Sequence, residues 1–240
     1  MPTTEQDHQR ERRSELAANL TSVRRRIAAA CAAAGRDAAE ITMIAVTKTF
    51  PASDVRLLAE LGVADIGENR DKEAAPKAAA CVDLPVTWHF VGQLQTNKAR
   101  SVVRYADVVH SVDRPRLVTA LSAAAVRAGR VSRCLVQVAL DDEPARGGAR
   151  TADVPALAEQ IATADGLELA GVMAVAPLGA DPAAAFAVLA DVAAAVRAEH
   201  PAATVVSAGM SGDLEQAIAC GATHVRVGTA LLGGRRAIVR

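Results

Sequence analysis

The feature that most constrains this chain is an alternation. Short β-branched and apolar runs recur eight times, and a stretch with helical periodicity follows each one. The runs are Ile41 to Val46, Ala64 to Ile66, Val86 to Val91, Asp107 to His110, Cys134 to Leu140, Leu167 to Val175, Thr204 to Ser207 and His224 to Val227. Helices are expected to begin near Ser53, Asn69, Gln95, Arg114, Ala152, Asp181, Ser211 and Thr229, and another, over Glu15 to Ala34, precedes the first strand. Parallel neighbours need a crossover connection, which the intervening helix supplies, so the pattern predicts a parallel sheet. Closing eight such units into a cylinder removes both sheet edges. The expected fold class is α/β, a single (β/α)8 TIM barrel with an extra N-terminal helix. It occupies residues 15–240, behind a flexible charged segment at 1–14. An open doubly wound sheet is the alternative, but its glycine-rich dinucleotide loop is missing after the first run, which continues Ala45-Val46-Thr47-Lys48-Thr49-Phe50-Pro51.

A chain of 240 residues with 51% hydrophobic content can bury one sizeable core. Basic and acidic residues both number 27, so no global field attracts nucleic acid or anionic lipid. Arg24-Arg25-Arg26 reads as the solvated face of a helix. Cys31, Cys81, Cys134 and Cys220 form no C-x-x-C pair and complete no zinc set with histidine, so they read as free thiols in a reducing compartment. The polar start lacks the apolar core of an export signal, and the apolar stretches at 169–180 and 182–198 are too short or carry Asp181, Asp191 and Arg197. A cytoplasmic, soluble protein is expected, with no metal, nucleic-acid or membrane partner. No helix face is surplus to the barrel, so a monomer is expected.

Barrels of this kind build their sites from the loops at the carboxyl ends of the strands. Lys48 ends the first run, where an ammonium leaving an apolar strand is partly desolvated. The neutral amine is the form that attacks an aldehyde, and such a lysine forms Schiff bases with carbonyl compounds or with pyridoxal phosphate. Ser207-Ala208-Gly209-Met210-Ser211-Gly212 leads from the seventh strand into a helix, offering unpaired amides and a hydroxyl at the positive end of a helix dipole, and Gly228-Thr229 adds donors after the eighth. That arrangement suits a phosphate. Ser211 and Asp213 could instead cap the helix. Arg226, in an otherwise apolar strand, needs a partner, since it keeps its charge when buried. If it donates to a pyridine nitrogen, that nitrogen stays unprotonated and the ring becomes a poor electron sink. Asn69 and Gln93 can hydrogen-bond a phenolic oxygen. Asn69 is favoured because Gly67 lets the chain turn toward the barrel axis. His89 and His110 read as structural residues and carry no catalytic assignment. The loop Asp141-Asp142-Glu143 to Arg146-Gly147-Gly148 reads as solvated and mobile, with a weak claim to be a lid.

Six motifs, in order from about residue 15 onward, resemble the pyridoxal phosphate homeostasis proteins, single-domain relatives of the alanine racemase barrel. They are Ala45-Val46-Thr47-Lys48; Gly67-Glu68-Asn69-Arg70; Trp88 to Lys98; Gly171-Val172-Met173-Ala174; Gly209 to Ile218; and Val225-Arg226-Val227-Gly228-Thr229. The resemblance implies pyridoxal 5′-phosphate as cofactor, with Lys48 as the Schiff-base lysine and Ser211, Gly228 and Thr229 on the phosphate. Arg226 would face the pyridine nitrogen, Asn69 would lie beside the cofactor, and Met210 joins the same set. The implied role is intracellular pyridoxal phosphate homeostasis: binding, buffering and delivery of the cofactor, with apo pyridoxal phosphate enzymes as recipients and no robust turnover. A weak amino acid racemase is the alternative. Racemases with this barrel use a second domain and an opposite-face tyrosine, whereas Tyr105 is the sole tyrosine here and precedes the fourth strand. A Schiff-base aldolase acting on a phosphorylated sugar shares the lysine and the phosphate site but lacks an evident carboxylate–lysine relay.

Overall fold

The computed structural model describes residues 4–141 and 147–234. Its strands β1 (Thr42–Val46), β2 (Asp65–Glu68), β3 (Thr87–Phe90), β4 (Val108–Val112), β5 (Ser132–Gln137), β6 (Leu167–Met173), β7 (Val205–Ser207) and β8 (His224–Val227) form one closed barrel in sequence order. All pairings are parallel, and Thr42↔His224 through Ala45↔Val227 join the first strand to the last. The surrounding helices are α1 (Thr4–Ala33), α2 (Ala52–Glu60), α3 (Asp71–Ala80), α4 (Ala99–Val102), α5 (Pro115–Ala128), α6 (Val154–Thr163), α7 (Pro182–Glu199), α8 (Leu214–Ala219) and α9 (Thr229–Leu232).

The expected (β/α)8 barrel is therefore present, with shifts at element ends. β5 starts two residues early and stops at Gln137. Beyond that point Ala149 donates its amide to the Gln137 carbonyl and Ala139 donates to Ala149, which draws the chain out of the barrel wall. α8 begins at Leu214 instead of near Ser211, so the preceding loop is longer than the sequence suggests. The charged stretch ahead of Glu15 continues as helix from Thr4, held through Arg12, which pairs with Asp54 of α2 at 2.7 Å and donates to the Leu232 carbonyl.

Strand alternation divides the core. Outward residues such as Ile66, Trp88, Val136, Val206, Val225 and Val227 pack against the helices, while Val108, Leu135, Ala170, Met173 and Val205 form a small apolar cluster inside the barrel. α5 shows how sequence fixes this packing. Pro115 opens it at the first turn, and Leu117, Val118, Leu121, Ala124 and Ala125 line one buried stripe. Gly129, at φ 62°, ends it in the left-handed conformation open to glycine. Each fully buried leucine there contributes about 1.5–3 kcal/mol by leaving water.

α1 covers the seam where β8 meets β1. Asn19 donates to the Leu231 carbonyl, Arg26 pairs with Glu215 at 2.8 Å, and Arg36 donates to the carbonyls of Ile218 and Ala222. Cys31, Cys81, Cys134 and Cys220 are all free thiols. Among the described residues no helix is long and apolar enough to cross a membrane, and no histidine, cysteine and carboxylate cluster could hold a metal ion.

Candidate functional site

At the carboxyl end of the barrel lies a cavity of about 250 Å³ lined by Val46, Lys48, Asn69, Val91, Val175, Met210, Ser211, Gly212, Arg226, Gly228 and Thr229. All seven residues expected to hold a cofactor, Lys48, Asn69, Met210, Ser211, Arg226, Gly228 and Thr229, thus meet at one opening, although they come from β8 and from the loops after β1, β2, β7 and β8.

Lys48 sits two residues beyond β1 in a turn closed by the Phe50 amide on the Thr47 carbonyl at 3.0 Å. Thr49 in that turn has φ 68°, costly for a β-branched residue and the one positive-φ non-glycine residue described. The turn is braced from below. Buried Thr47 donates its hydroxyl to Glu68 at 2.6 Å, and Lys77, arriving from α3, donates to the Thr47 carbonyl at 2.8 Å and to Glu68. The Thr49 amide reaches Glu73 at 3.1 Å. Burial pushes the Glu68 carboxyl upward, against the pull of the Lys77 ammonium. Lys48 itself is exposed, so the protein alone does not supply the desolvation expected from sequence; the barrel mouth is open above it.

The loop after β7 is shaped by Gly209, whose φ is 86° and whose hypothetical Cβ would lie 2.6 Å from Ala217. The Met210 amide donates to Asp213 Oδ1 at 2.6 Å, and the Ser211 hydroxyl accepts from the Ala230 amide at 3.3 Å, tying the β7 loop to the first turn of α9. Asp213 is the N-cap residue of α8, but its side chain turns back to the Met210 amide and makes no capping bond. Among the described residues, the amides of Ser211, Gly212 and Gly228 are matched to no acceptor, and Gly212 faces open space. They are uncommitted donors supplied by loop amides, with α8, of 6 residues, adding little dipole.

Arg226 is buried. One terminal nitrogen donates to the Ser207 carbonyl at 2.8 Å and to the Ser207 hydroxyl at 2.7 Å, and the other donates to the Ala174 carbonyl at 2.8 Å. Three of its five N–H groups are thereby used, leaving two uncommitted. Burial lowers its pKa to about 10, still far above neutrality, so it stays cationic. Asn69 also lines the cavity, and its side-chain oxygen is buried without a hydrogen-bond partner. The turn toward the axis does not come from Gly67, which lies within β2 and makes room for the side chains of Ile44 and Val46. Gly92 brings the β3 loop onto Asn69, where a Cβ would lie 2.1 Å from the Asn69 carbonyl.

Gln93 lines a neighbouring cleft with Asn69, Arg70 and Lys98, and Tyr105 lies outside the barrel between α4 and β4. Of the loop after β5, Asp142, Glu143 and Arg146 lie outside the described residues. Sequence reasoning missed the bracing groups Thr47, Glu68 and Lys77, and it assigned His89 and His110 singly, whereas they bond to each other at 2.9 Å. The available signal was strand phase: with Arg226 inward, His224 two residues earlier must face inward too.

The family model for the alanine racemase N-terminal domain matches residues 12–236. A pyridoxal phosphate homeostasis protein of Mycobacterium tuberculosis is 46% identical, the match covering 94% of this chain and 95% of that one. The chain belongs to the pyridoxal phosphate homeostasis protein family. Another member, from Pseudomonas aeruginosa, is 40% identical over 92% of this chain and 96% of its own length. Among solved structures, PipY of Synechococcus elongatus with pyridoxal phosphate bound superposes with TM-score 0.80 at 36% identity, covering 91% of this chain and 100% of that one. The homeostasis family thus includes a solved relative with pyridoxal phosphate in place.

Proposed function

We propose that this chain binds pyridoxal 5′-phosphate as a Schiff base on Lys48 and serves intracellular cofactor homeostasis by binding, buffering and delivering it. The single observation that carries the reading is the convergence of Lys48, Arg226 and the unmatched amides of Ser211, Gly212 and Gly228 on one cavity. The cofactor supplies an aldehyde that condenses with a lysine amine and a pyridine ring that can take up electrons.

The residues present fit that group. The amides of Ser211, Gly212 and Gly228, with the hydroxyls of Ser211 and Thr229, would hold the phosphate. Arg226 has two uncommitted N–H donors for the ring nitrogen, and the orphaned Asn69 carboxamide would serve the ring's polar edge. Met210, 39% exposed beside the phosphate loop, would cover part of the ring. Because an arginine gives up no proton to the ring nitrogen, the ring is left a weak electron sink, which favours storage and release over turnover. The lack of a tyrosine among the cavity-lining residues argues in the same direction against two-base racemization. Delivery to apo enzymes is the consequence of a cofactor held at an open mouth by an exposed lysine.

The test is the absorbance spectrum of the purified protein with added pyridoxal phosphate, before and after borohydride, followed by mass spectrometry of the reduced adduct. The expected result is a band that bleaches and leaves a pyridoxyl-phosphate mass on Lys48, absent in Lys48→Ala while the fold persists. An unchanged band in that variant removes the assignment. A wild-type protein that never acquires the band brings the sugar-phosphate aldolase reading forward.

A further inference from the structure

Inside the barrel a single file of hydrogen bonds runs from the amino-terminal rim to the cavity. Asp65, the first residue of β2, accepts at 2.9 Å from His89 Nε2; His89 Nδ1 and His110 Nε2 are 2.9 Å apart; His110 Nδ1 and the Ser207 hydroxyl are 3.0 Å apart; and Ser207 accepts from Arg226 at 2.7 Å. His89, His110, Ser207 and Arg226 are all buried, and only Asp65 reaches the solvent side.

The direction of the file follows from counting protons. Arg226 only donates, so the Ser207 oxygen accepts from it. The Ser207 proton then needs an acceptor, and among the described residues His110 Nδ1 is the one within reach. His110 must therefore carry its proton on Nε2 and give it to His89 Nδ1. His89 in turn carries its proton on Nε2 and gives it to the Asp65 carboxylate. In this arrangement every buried donor and acceptor of the file is used once. Reversing it leaves the Ser207 proton buried without a partner, a cost the forward direction avoids. Burial, reinforced by His89 and then by the positive charge of Arg226, holds the His110 imidazole well below its ordinary range, which keeps it neutral as the file requires.

We infer that Ser207, His110 and His89 are positioning residues: a one-way hydrogen-bond file anchored on Asp65 that locks the Arg226 guanidinium so that its free N–H donors point at the cofactor ring. The inference rests on the proposed reading of Arg226 toward the pyridine nitrogen. The file adds to the hold that the Ser207 and Ala174 carbonyls have on the arginine. Its terminal nitrogen is held by the Ser207 carbonyl and hydroxyl together, and the hydroxyl can face the arginine with its lone pair only because His110 takes its proton.

Two measurements test it. In the apo protein, long-range nitrogen–proton correlation spectra of the histidine rings are expected to put both His89 and His110 in the Nε2–H form. The Nδ1–H form on either ring overturns the file. In the loaded protein, Ser207→Ala is expected to weaken pyridoxal phosphate binding about tenfold, the equivalent of one lost net hydrogen bond. It should also shift the resonance of the cofactor's labelled ring nitrogen, both effects being read on the folded protein. His89→Leu, which removes the acceptor for His110, moves the ring-nitrogen signal in the same sense. Unchanged affinity and an unchanged ring-nitrogen signal in both variants assign the file a purely structural role and overturn the inference. A wild-type chain that takes up no cofactor fails differently: it removes the Lys48 reading, and the positioning role with it, even where the apo tautomers are as expected.

Discussion

The two faces of the same eight strands are built on different principles. On β8, Val225 and Val227 turn outward into the helical jacket while Arg226 between them turns inward; on β3, Trp88 and Phe90 pack outward around an inward His89; on β7, Val206 is outward and Ser207 inward. The outer face is held by area, which is non-directional and tolerant of which apolar residue supplies it. The inner face adds to its small apolar cluster a set of hydrogen bonds whose geometry admits few substitutes. Stability should therefore reside mainly outside and cofactor recognition mainly inside.

The separation is tested most strongly at Leu121, fully buried in α5 against the outer face. Leu121→Ala should cost about 2–5 kcal/mol in urea unfolding while leaving the cofactor affinity of the folded fraction unchanged; a parallel loss of affinity would break the distinction. Next is the pH dependence of the inner face. Burial above all, then His89, lowers the His224 pKa from 6.5 to about 4. Its folded value lies below its unfolded value, so the unfolded chain binds the extra proton between those limits. The stability it contributes is fully present above about pH 6.5 and is lost as pH falls toward 4, by roughly 3 kcal/mol. His110 is shifted in the same direction. Unfolding of His224→Asn, which can keep the hydrogen bond to Thr223, should show a flatter fall between pH 7 and 4.5 than the wild type; equal slopes would mean that His224 is solvated. The smallest effect is expected at Ser211. Ser211→Ala should weaken cofactor binding by about 1.5–3 kcal/mol in an equilibrium titration, with the melting temperature of the apo protein nearly constant.

The outer face was legible because periodicity reports burial, and all eight runs became strands in order. Lys48, Arg226 and the glycine loops were legible because each is anomalous where it stands: a lysine closing an apolar strand, an arginine inside one, small residues before a helix. The bracing groups were not. Lys77 lies in a helix, where a lysine ordinarily points to water, and nothing local reveals that it reaches Thr47 and Glu68. His110 meets Ser207 across 97 residues of sequence, a pairing that exists only once the barrel has closed. A glycine's purpose was equally hidden. Gly67 read as the turn beside Asn69, yet the close approach that matters is made by Gly92, on the neighbouring strand's loop.

The seam under α1 sets an order of events for the chain. Arg36 and Arg12 find their carbonyl partners 182 and 220 residues further on, so the helix near the amino end, although Arg12 also pairs with Asp54 of α2, cannot complete its docking until the last strand and its loop exist. Contacts of such long sequence range form late and slowly, because the entropy of closing the loop opposes them before any packing rewards them. During synthesis the apolar stripe of Leu16, Leu20, Val23 and Ile27 has Val55, Leu57 and Leu58 of α2 to hand but must wait for Leu214, Ile218, Leu231 and Leu232 of α8 and α9. The same join carries Lys48 on one side and Arg226 on the other, so a chain still waiting for its last strand has both halves of the site and no site.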